Sequence, residues 1–256
     1  KLDYLERDGL YTILSKPAGV EYLRRHIYFV NSCLAIDEKV VDNAIEVQNF
    51  YIKMYKNVYL RKVSAIAQRM LQKMVYHLML AGEISSSDLP LLTDSELIGI
   101  IRLSKNPIVQ YLYDLLKRRD LFKEAVVLRP ESFAHSGNKS EKPIAVLGLN
   151  DEGIDLLVTS SNLGQKNMDG LEKLEKCIAA IAGIPAEATL LVPVFNPKRF
   201  EAQDVKIYRA GGNLESLRER YPAHFKNMEE VAKSYIALRV CTIEKYRKAL
   251  SSQKIS

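Results

Sequence analysis

The sequence predicts a mainly helical α+β protein, and three observations carry that prediction. Apolar residues recur at helical spacing through most of residues 1 to about 128, most clearly in Val40–Met54 and Val63–Leu80. A polar, turn-rich stretch follows, from Arg129-Pro130-Glu131-Ser132 to Ser136-Gly137-Asn138-Lys139-Ser140. Beyond it the apolar runs become short and rich in β-branched residues. The expected domains are a helical region at residues 1–128 and a small α+β domain at residues 141–256.

In the first half, Ser87-Asp88 and Thr93-Asp94 are helix caps, and Glu96 follows Thr93 at capping-box spacing. Asn106-Pro107 punctuates before a helix over Ile108–Arg119. In the second half, Ile144–Leu149, Asp155–Thr159, Ala188–Phe195 and Val205–Arg209 are expected strands. Leu171–Ala182 and Met228–Leu250 are expected helices, and Gly211-Gly212 is a turn between a strand and the next helix.

Composition narrows the class. The 256 residues are 47% hydrophobic and 27% charged, enough to bury a core without crosslinks. No apolar run reaches the roughly 18 residues that a transmembrane helix needs. Cys33, Cys177 and Cys241 are odd in number and far apart, which argues against a disulfide framework and fits the reducing cytoplasm. The opening Lys1-Leu2-Asp3-Tyr4 lacks the apolar core of a signal peptide and begins inside a helical pattern without Met, so preceding sequence is expected. The formal net charge of +6 suits nucleic acid, membrane surfaces or small polyphosphates, and equally a solvated surface.

Two stripes draw attention. On a helix Lys1, Tyr4 and Asp8 share one face. A cation, an amphipathic ring and a carboxylate suit a phosphate, a sugar face and a sugar hydroxyl; an ordinary amphipathic helix start also accounts for them. Tyr51, Tyr55 and Tyr59 share a face amid Lys53, Lys56, Arg61 and Lys62. Aromatics among cations recur in nucleotide sites, and a tyrosine-rich core stripe reads the same way. His26, His77, His135 and His224 are scattered, with no His-Asp pair and no metal-ligand spacing.

At these residues the sequence resembles the HD-domain deoxynucleoside triphosphate triphosphohydrolases, which include deoxyguanosine triphosphatases and the sterile-alpha-motif-linked dNTPase. Lys1-Leu2-Asp3-Tyr4-Leu5-Glu6-Arg7-Asp8 matches the family's Asp-Lys/Arg-aromatic/Leu-Asp-Tyr-x-x-Arg-Asp from its second position onward. Tyr55-Lys56-Asn57-Val58-Tyr59-Leu60-Arg61-Lys62, followed by Met70-Leu71, resembles Tyr-x-x-Val-Tyr-x-His-Lys and its Met-Leu helix. The stretch from Leu115 through Arg118-Arg119-Asp120-Leu121-Phe122-Lys123 resembles the family's Arg-x-Leu-Phe-Lys segment. The resemblance covers residues 1–128, so it makes this region the helical C-terminal part of an HD-family enzyme.

The resemblance implies a full protein that releases triphosphate from dNTPs, using water on a divalent metal held outside this chain. No catalytic residue and no metal ligand would lie within the chain, which alone would be inactive. Lys1 would meet a substrate phosphate, and Tyr4 and Asp8 the deoxyribose, with Asp8 at the 3′-hydroxyl. Tyr59, with Tyr55 beside it, would close on the sugar and exclude a 2′-hydroxyl. Lys1, Tyr4, Asp8 and Tyr59 are therefore expected to converge on one cleft. Arg24, Arg61, Lys62 and Arg119 would serve a regulatory nucleotide, and a homo-oligomer is the expected assembly. Arg61 stands where the family has His, and Tyr51 and Tyr55 lie where it supplies a phosphate-binding Arg and a His. Two rival readings stand beside this one: a basic, non-enzymatic helical module for nucleic acid or scaffolding, and an HD phosphohydrolase with another nucleotide substrate.

Overall fold

The computed structural model describes residues 2–134, 144–160, 163, 167–194 and 204–252. The chain forms two compact units: Lys1–Arg61 with Asn196–Tyr235, and Lys62–Phe195 with Ile236–Ser256. The chain begins in unit 1 with α1 (Leu2–Ile13), α2 (Val20–Arg24), β1 (Ile27–Val30), β2 (Cys33–Asp37) and α3 (Val41–Met54). It builds most of unit 2 with α4 (Lys62–Leu80), α5 (Asp94–Leu103), α6 (Pro107–Lys117), β3 (Lys123–Pro130), α7 (Glu131–Ala134), β4 (Ala145–Leu149), α8 (Asp151–Thr159), α9 (Met168–Ala182) and β5 (Thr189–Val192). It returns to unit 1 with β6 (Lys206–Tyr208), β7 (Leu214–Ser216), α10 (Leu217–Arg220) and α11 (Pro222–Lys233), then closes unit 2 with β8 (Leu238–Thr242) and α12 (Arg247–Ser251). Over the described residues the fold is mainly α with two four-stranded sheets. No described helix is long and apolar enough to cross a membrane.

Unit 1 packs α1, α2, α3 and α11 on the sheet β1-β2-β6-β7. Its core takes Val40, Val41, Ala44, Val47, Phe50 and Met54 from α3 and its entry, at the i, i+3, i+4 spacing read from the sequence. The β1–β2 hairpin corrects the expectation of an almost wholly helical first half. The run Ile27-Tyr28-Phe29-Val30 is aromatic and β-branched, and it turns through Asn31 and Ser32, both at positive φ (48° and 62°). Positive φ at both central residues matches the twist of a two-residue hairpin. Gly211 and Gly212, at φ 107° and 87°, turn the hairpin between β6 and β7 rather than leading into a helix.

Unit 2 is a sheet, β4-β3-β8-β5, with a core on each face. Leu190, Val192 and Cys241 pack toward α4 and α6, and Ala125, Val126, Leu191 and Val240 toward α8 and α9. Two expectations fail here. Asp155–Thr159 is the end of α8, not a strand: Asn150 caps that helix by accepting from the Gly153 N–H at 3.0 Å, and Ile154 and Leu157 are buried at helical spacing. The expected helix Met228–Leu250 is interrupted, because Leu238–Thr242 alternates as a strand between β3 and β5. β3 itself lies partly inside the expected helical region, and both of its neighbours follow the polar stretch. The expected division at residues 129–140 thus falls within unit 2, and residues 135–143 lie outside the described residues. Thr93 and Glu96 do form a capping box, and Asn106 caps α6.

The helix α4 is tied to α9 and β5 by buried charge. Arg69 Nη2 donates to Glu175 Oε1 at 3.0 Å and Lys73 Nζ to Glu175 Oε2 at 2.6 Å. Arg69 Nε also donates to the Leu191 carbonyl at 2.9 Å, and the Leu191 N–H donates to Glu175 Oε1 at 2.9 Å. One turn on, His77 Nε2 lies 2.5 Å from Glu172 Oε1.

Arg119 ends α6 at φ 58°, a conformation suited to glycine. The Asp120 N–H bonds to the Leu115 carbonyl and the Arg119 N–H to that of Leu116, the paired bonds of a Schellman cap. Replacing Arg119 by Gly is expected to raise stability by about 0.5–1 kcal/mol, since the left-handed region costs an ordinary residue more than Gly loses in chain entropy. Urea denaturation would show it; a loss of stability would mean that the Arg119 side chain supplies more than the strain removes.

Candidate functional site

The candidate site lies in unit 1, where α1 meets the end of α3. Tyr51 and Tyr55 occupy successive turns, with ring centroids 4.6 Å apart, and the Tyr51 hydroxyl donates to that of Tyr55 at 3.0 Å. Past Tyr55 the helix widens to a π-turn over Tyr55–Tyr59, closed by the Leu60 N–H on the Tyr55 carbonyl at 2.9 Å. Such turns add a residue to the helical register and re-aim side chains, often at functional sites. Here Tyr59 packs edge-on to Tyr55, with centroids 5.2 Å apart, and its hydroxyl donates to Asp8 Oδ2 at 2.7 Å.

Asp8 is brought there by the residue that follows it. Gly9 is buried, and a Cβ placed on it would stand 2.6 Å from Phe50 Cζ and 2.5 Å from the Ser15 carbonyl oxygen. Only glycine permits that approach of α1 to α3. Tyr4, one turn before Asp8, completes the cluster. Burial, then the charges of Tyr55 and Asp8, push its phenol up. Burial pushes Tyr59 up as well, reinforced by its bond to the Asp8 carboxylate, and Tyr51 rises from burial and its bond to Tyr55. These phenols therefore stay protonated at neutral pH and serve as donors and apolar faces. Asp8 is the cluster's acceptor: Tyr59 takes Oδ2, while Oδ1 meets, among the described residues, the exposed Arg7 at 3.8 Å.

Of the expected substrate-binding set, the structure thus brings Tyr4, Asp8, Tyr55 and Tyr59 together and adds Tyr51; Lys1 lies outside the described residues. The expected regulatory cations are divided. Arg24 and Arg61 belong to unit 1, and Lys62 and Arg119 to unit 2. Arg24 bridges Glu6 and Glu21 at 2.7 Å each, Arg61 is exposed, and Lys62 pairs with Glu124 at 3.4 Å. The roles of Gly9 and Glu6 were missed in the sequence; the signal for Gly9 was a glycine beside Asp8 within a helical run. Among the described residues, no three His, Cys, Asp or Glu side chains gather as a metal site.

Comparison with known proteins follows the same region. Residues 20–145 match the family model of the HD associated region. No curated protein matches the chain. A phosphohydrolase from Bacteroides thetaiotaomicron is similar in structure, with a TM-score of 0.57 and 17% identity, over 95% of this chain and 60% of its own. A hypothetical protein from Aquifex aeolicus is similar with a TM-score of 0.55 and 15% identity, over 98% of this chain and 55% of its own. The chain therefore spans less than two thirds of either structure, and at these identities the likeness is one of fold. Residues 20–145 are thus similar to the HD associated region, and the chain shares its fold with these two structures.

Proposed function

We propose that the full protein is an HD-superfamily phosphohydrolase acting on deoxynucleoside triphosphates, and that this chain supplies the wall holding the sugar. The Tyr59–Asp8 hydrogen bond, backed by Tyr4, Tyr51 and Tyr55, carries the reading. It is supported by the family match and by the similarity to a phosphohydrolase. A carboxylate has about four lone-pair positions, so Asp8 can keep Tyr59 and still accept from a 3′-hydroxyl. A Tyr59 ring packed on C2′ would leave a ribose hydroxyl there without room or partner. The divalent metal that the reading implies does not fit the described residues, which lack a ligand cluster, and would be bound elsewhere in the protein. Lys1 would meet a phosphate, Arg24, Arg61, Lys62 and Arg119 would serve a regulatory nucleotide, and the assembly would be a homo-oligomer. The exposed pair Phe29 and Leu34 offers an apolar contact surface for that assembly.

The test is triphosphate release by the full-length protein with each dNTP and rNTP. An unpaired, desolvated hydroxyl costs on the order of 1–3 kcal/mol, a preference for dNTPs of about tenfold to a hundredfold. Tyr59→Ala is expected to lower dNTP turnover and to narrow that preference. Asp8→Asn is expected to lower activity on both sugars alike, since both carry the 3′-hydroxyl. An unchanged dNTP-to-rNTP ratio in Tyr59→Ala, with activity still measurable, would refute the role of Tyr59.

A further inference from the structure

A cavity of unit 2 gathers polar groups that the rest of the fold leaves unused. Thr189, at the start of β5, pairs with Thr242, at the end of β8, and the Thr242 hydroxyl donates to the Ala188 carbonyl at 2.7 Å. The turn that enters β5 and the turn that leaves β8 therefore emerge side by side. Each is closed by a backbone bond of 3.0 Å, from the Ala188 N–H to the Pro185 carbonyl and from the Tyr246 N–H to the Ile243 carbonyl. With the first turn of α6 they line a cavity of about 470 Å³, within the range of small-molecule sites. Its walls include the flat rings of Pro107, Tyr111, Pro185 and Tyr246, and its charged residues are Glu187 and Lys245. Both are exposed, and among the described residues neither has an ion pair or a side-chain hydrogen bond. Lys245 Nζ lies 5.2 Å over the Tyr246 ring. Burial, and then the charge of Glu187, push the Tyr111 phenol up, so it stays protonated and can donate. The cavity thus carries an acid acting at Tyr111 and a base at Tyr246 that do not neutralise each other. A lone cation would be opposed by Lys245 and a lone anion by Glu187; a zwitterion with a flat apolar body satisfies both.

We propose that this cavity binds a free aromatic amino acid, with its ammonium at Glu187, its carboxylate at Lys245 and its ring among the prolines and tyrosines. Aromatic rings pack well in offset or edge-on contact with one another, and the phenol hydroxyls add donors at the rim. The site lies wholly in unit 2, shares no residue with the Asp8 cluster and does not rest on the reaction proposed there.

The protein contains no tryptophan, so the emission of L-tryptophan reports its own binding without background. Titrating the protein into L-tryptophan is expected to raise the anisotropy of that emission to saturation. Lys245→Met and Glu187→Gln should each weaken binding by about fivefold, the worth of one exposed ion pair. Both residues are exposed, so these changes leave the melting temperature unaltered. Two ligands assign the charges. Tryptophanamide, which lacks the carboxylate, should bind wild type and Lys245→Met equally well. N-acetyltryptophan, which lacks the ammonium, should bind wild type and Glu187→Gln equally well. Asp8→Asn should leave the affinity for L-tryptophan unchanged. Absence of saturable binding would overturn the site. So would wild-type affinity in both charge variants, a tryptophanamide affinity that still falls in Lys245→Met, or binding lost in Asp8→Asn, which would place the ligand in unit 1 instead.

Discussion

Glu175→Ala is expected to cost unit 2 about 3–5 kcal/mol, because it strands two buried cations. Arg69 and Lys73 are 2% and 3% exposed, and Glu175 is the carboxylate that both contact. Burial already pulls the Arg69 guanidinium down, and Glu175 is what pulls it back. The same substitution removes the acceptor for the Leu191 N–H in β5. Urea denaturation, followed by hydrogen exchange at the β5 amides, would report the loss. Combining Arg69→Met, Lys73→Met and Glu175→Gln removes the stranded charge and keeps an acceptor for Leu191. Uncharged replacements of buried ionic networks are often tolerated, so this variant is expected to recover at least half of the deficit. A loss below about 1 kcal/mol in Glu175→Ala would show that the network is not what couples α4 to α9 and β5.

The largest expected effect on activity comes from Gly9→Ala. The added methyl meets a ring carbon at 2.6 Å and a backbone oxygen at 2.5 Å, and the oxygen cannot swing aside as a flexible side chain would. Overpacking of this kind costs about 1–3 kcal/mol. The strain also pushes α1 away from α3, across the gap that the Tyr59–Asp8 bond spans. On the proposed function, a displacement near 1 Å at the group that orients the sugar would lower turnover by about a hundredfold. Adding Phe50→Leu relieves the ring contact but not the Ser15 carbonyl, so it should restore stability and activity only in part. A Gly9→Ala protein with an unaltered melting temperature would contradict the close packing described here.

Much of this was legible in the sequence, for physical reasons. The helices α3 and α4 bury one stripe each, so their apolar period shows directly, and the caps of α5 and α6 rest on local hydrogen bonds within a few residues. The Tyr59–Asp8 meeting was reached through a resemblance, since residues so far apart in the chain leave no local signature. What stayed hidden was set by tertiary partners. Asn31-Ser32 turns a hairpin without the glycine that usually marks one. Leu238–Thr242 reads as part of a helix until β3 and β5 are placed on either side of it. The pairing of Arg69, Lys73 and His77 with α9 is invisible along α4, where three basic residues four apart look like a solvated face.

The alternation of the chain between its two units has a consequence for biosynthesis. β2 finds its parallel neighbour only when Lys206–Tyr208 has been made, and β3 and β5 lack the strand between them until Leu238–Thr242 emerges. Neither sheet can close while the second half of the chain is still in the ribosome, although α1 through α6 are free to form. Such non-local pairing is slow and leaves strand edges open to other chains. The nascent protein is therefore a helical intermediate with two unfinished sheets, the state in which chaperone capture and premature aggregation compete.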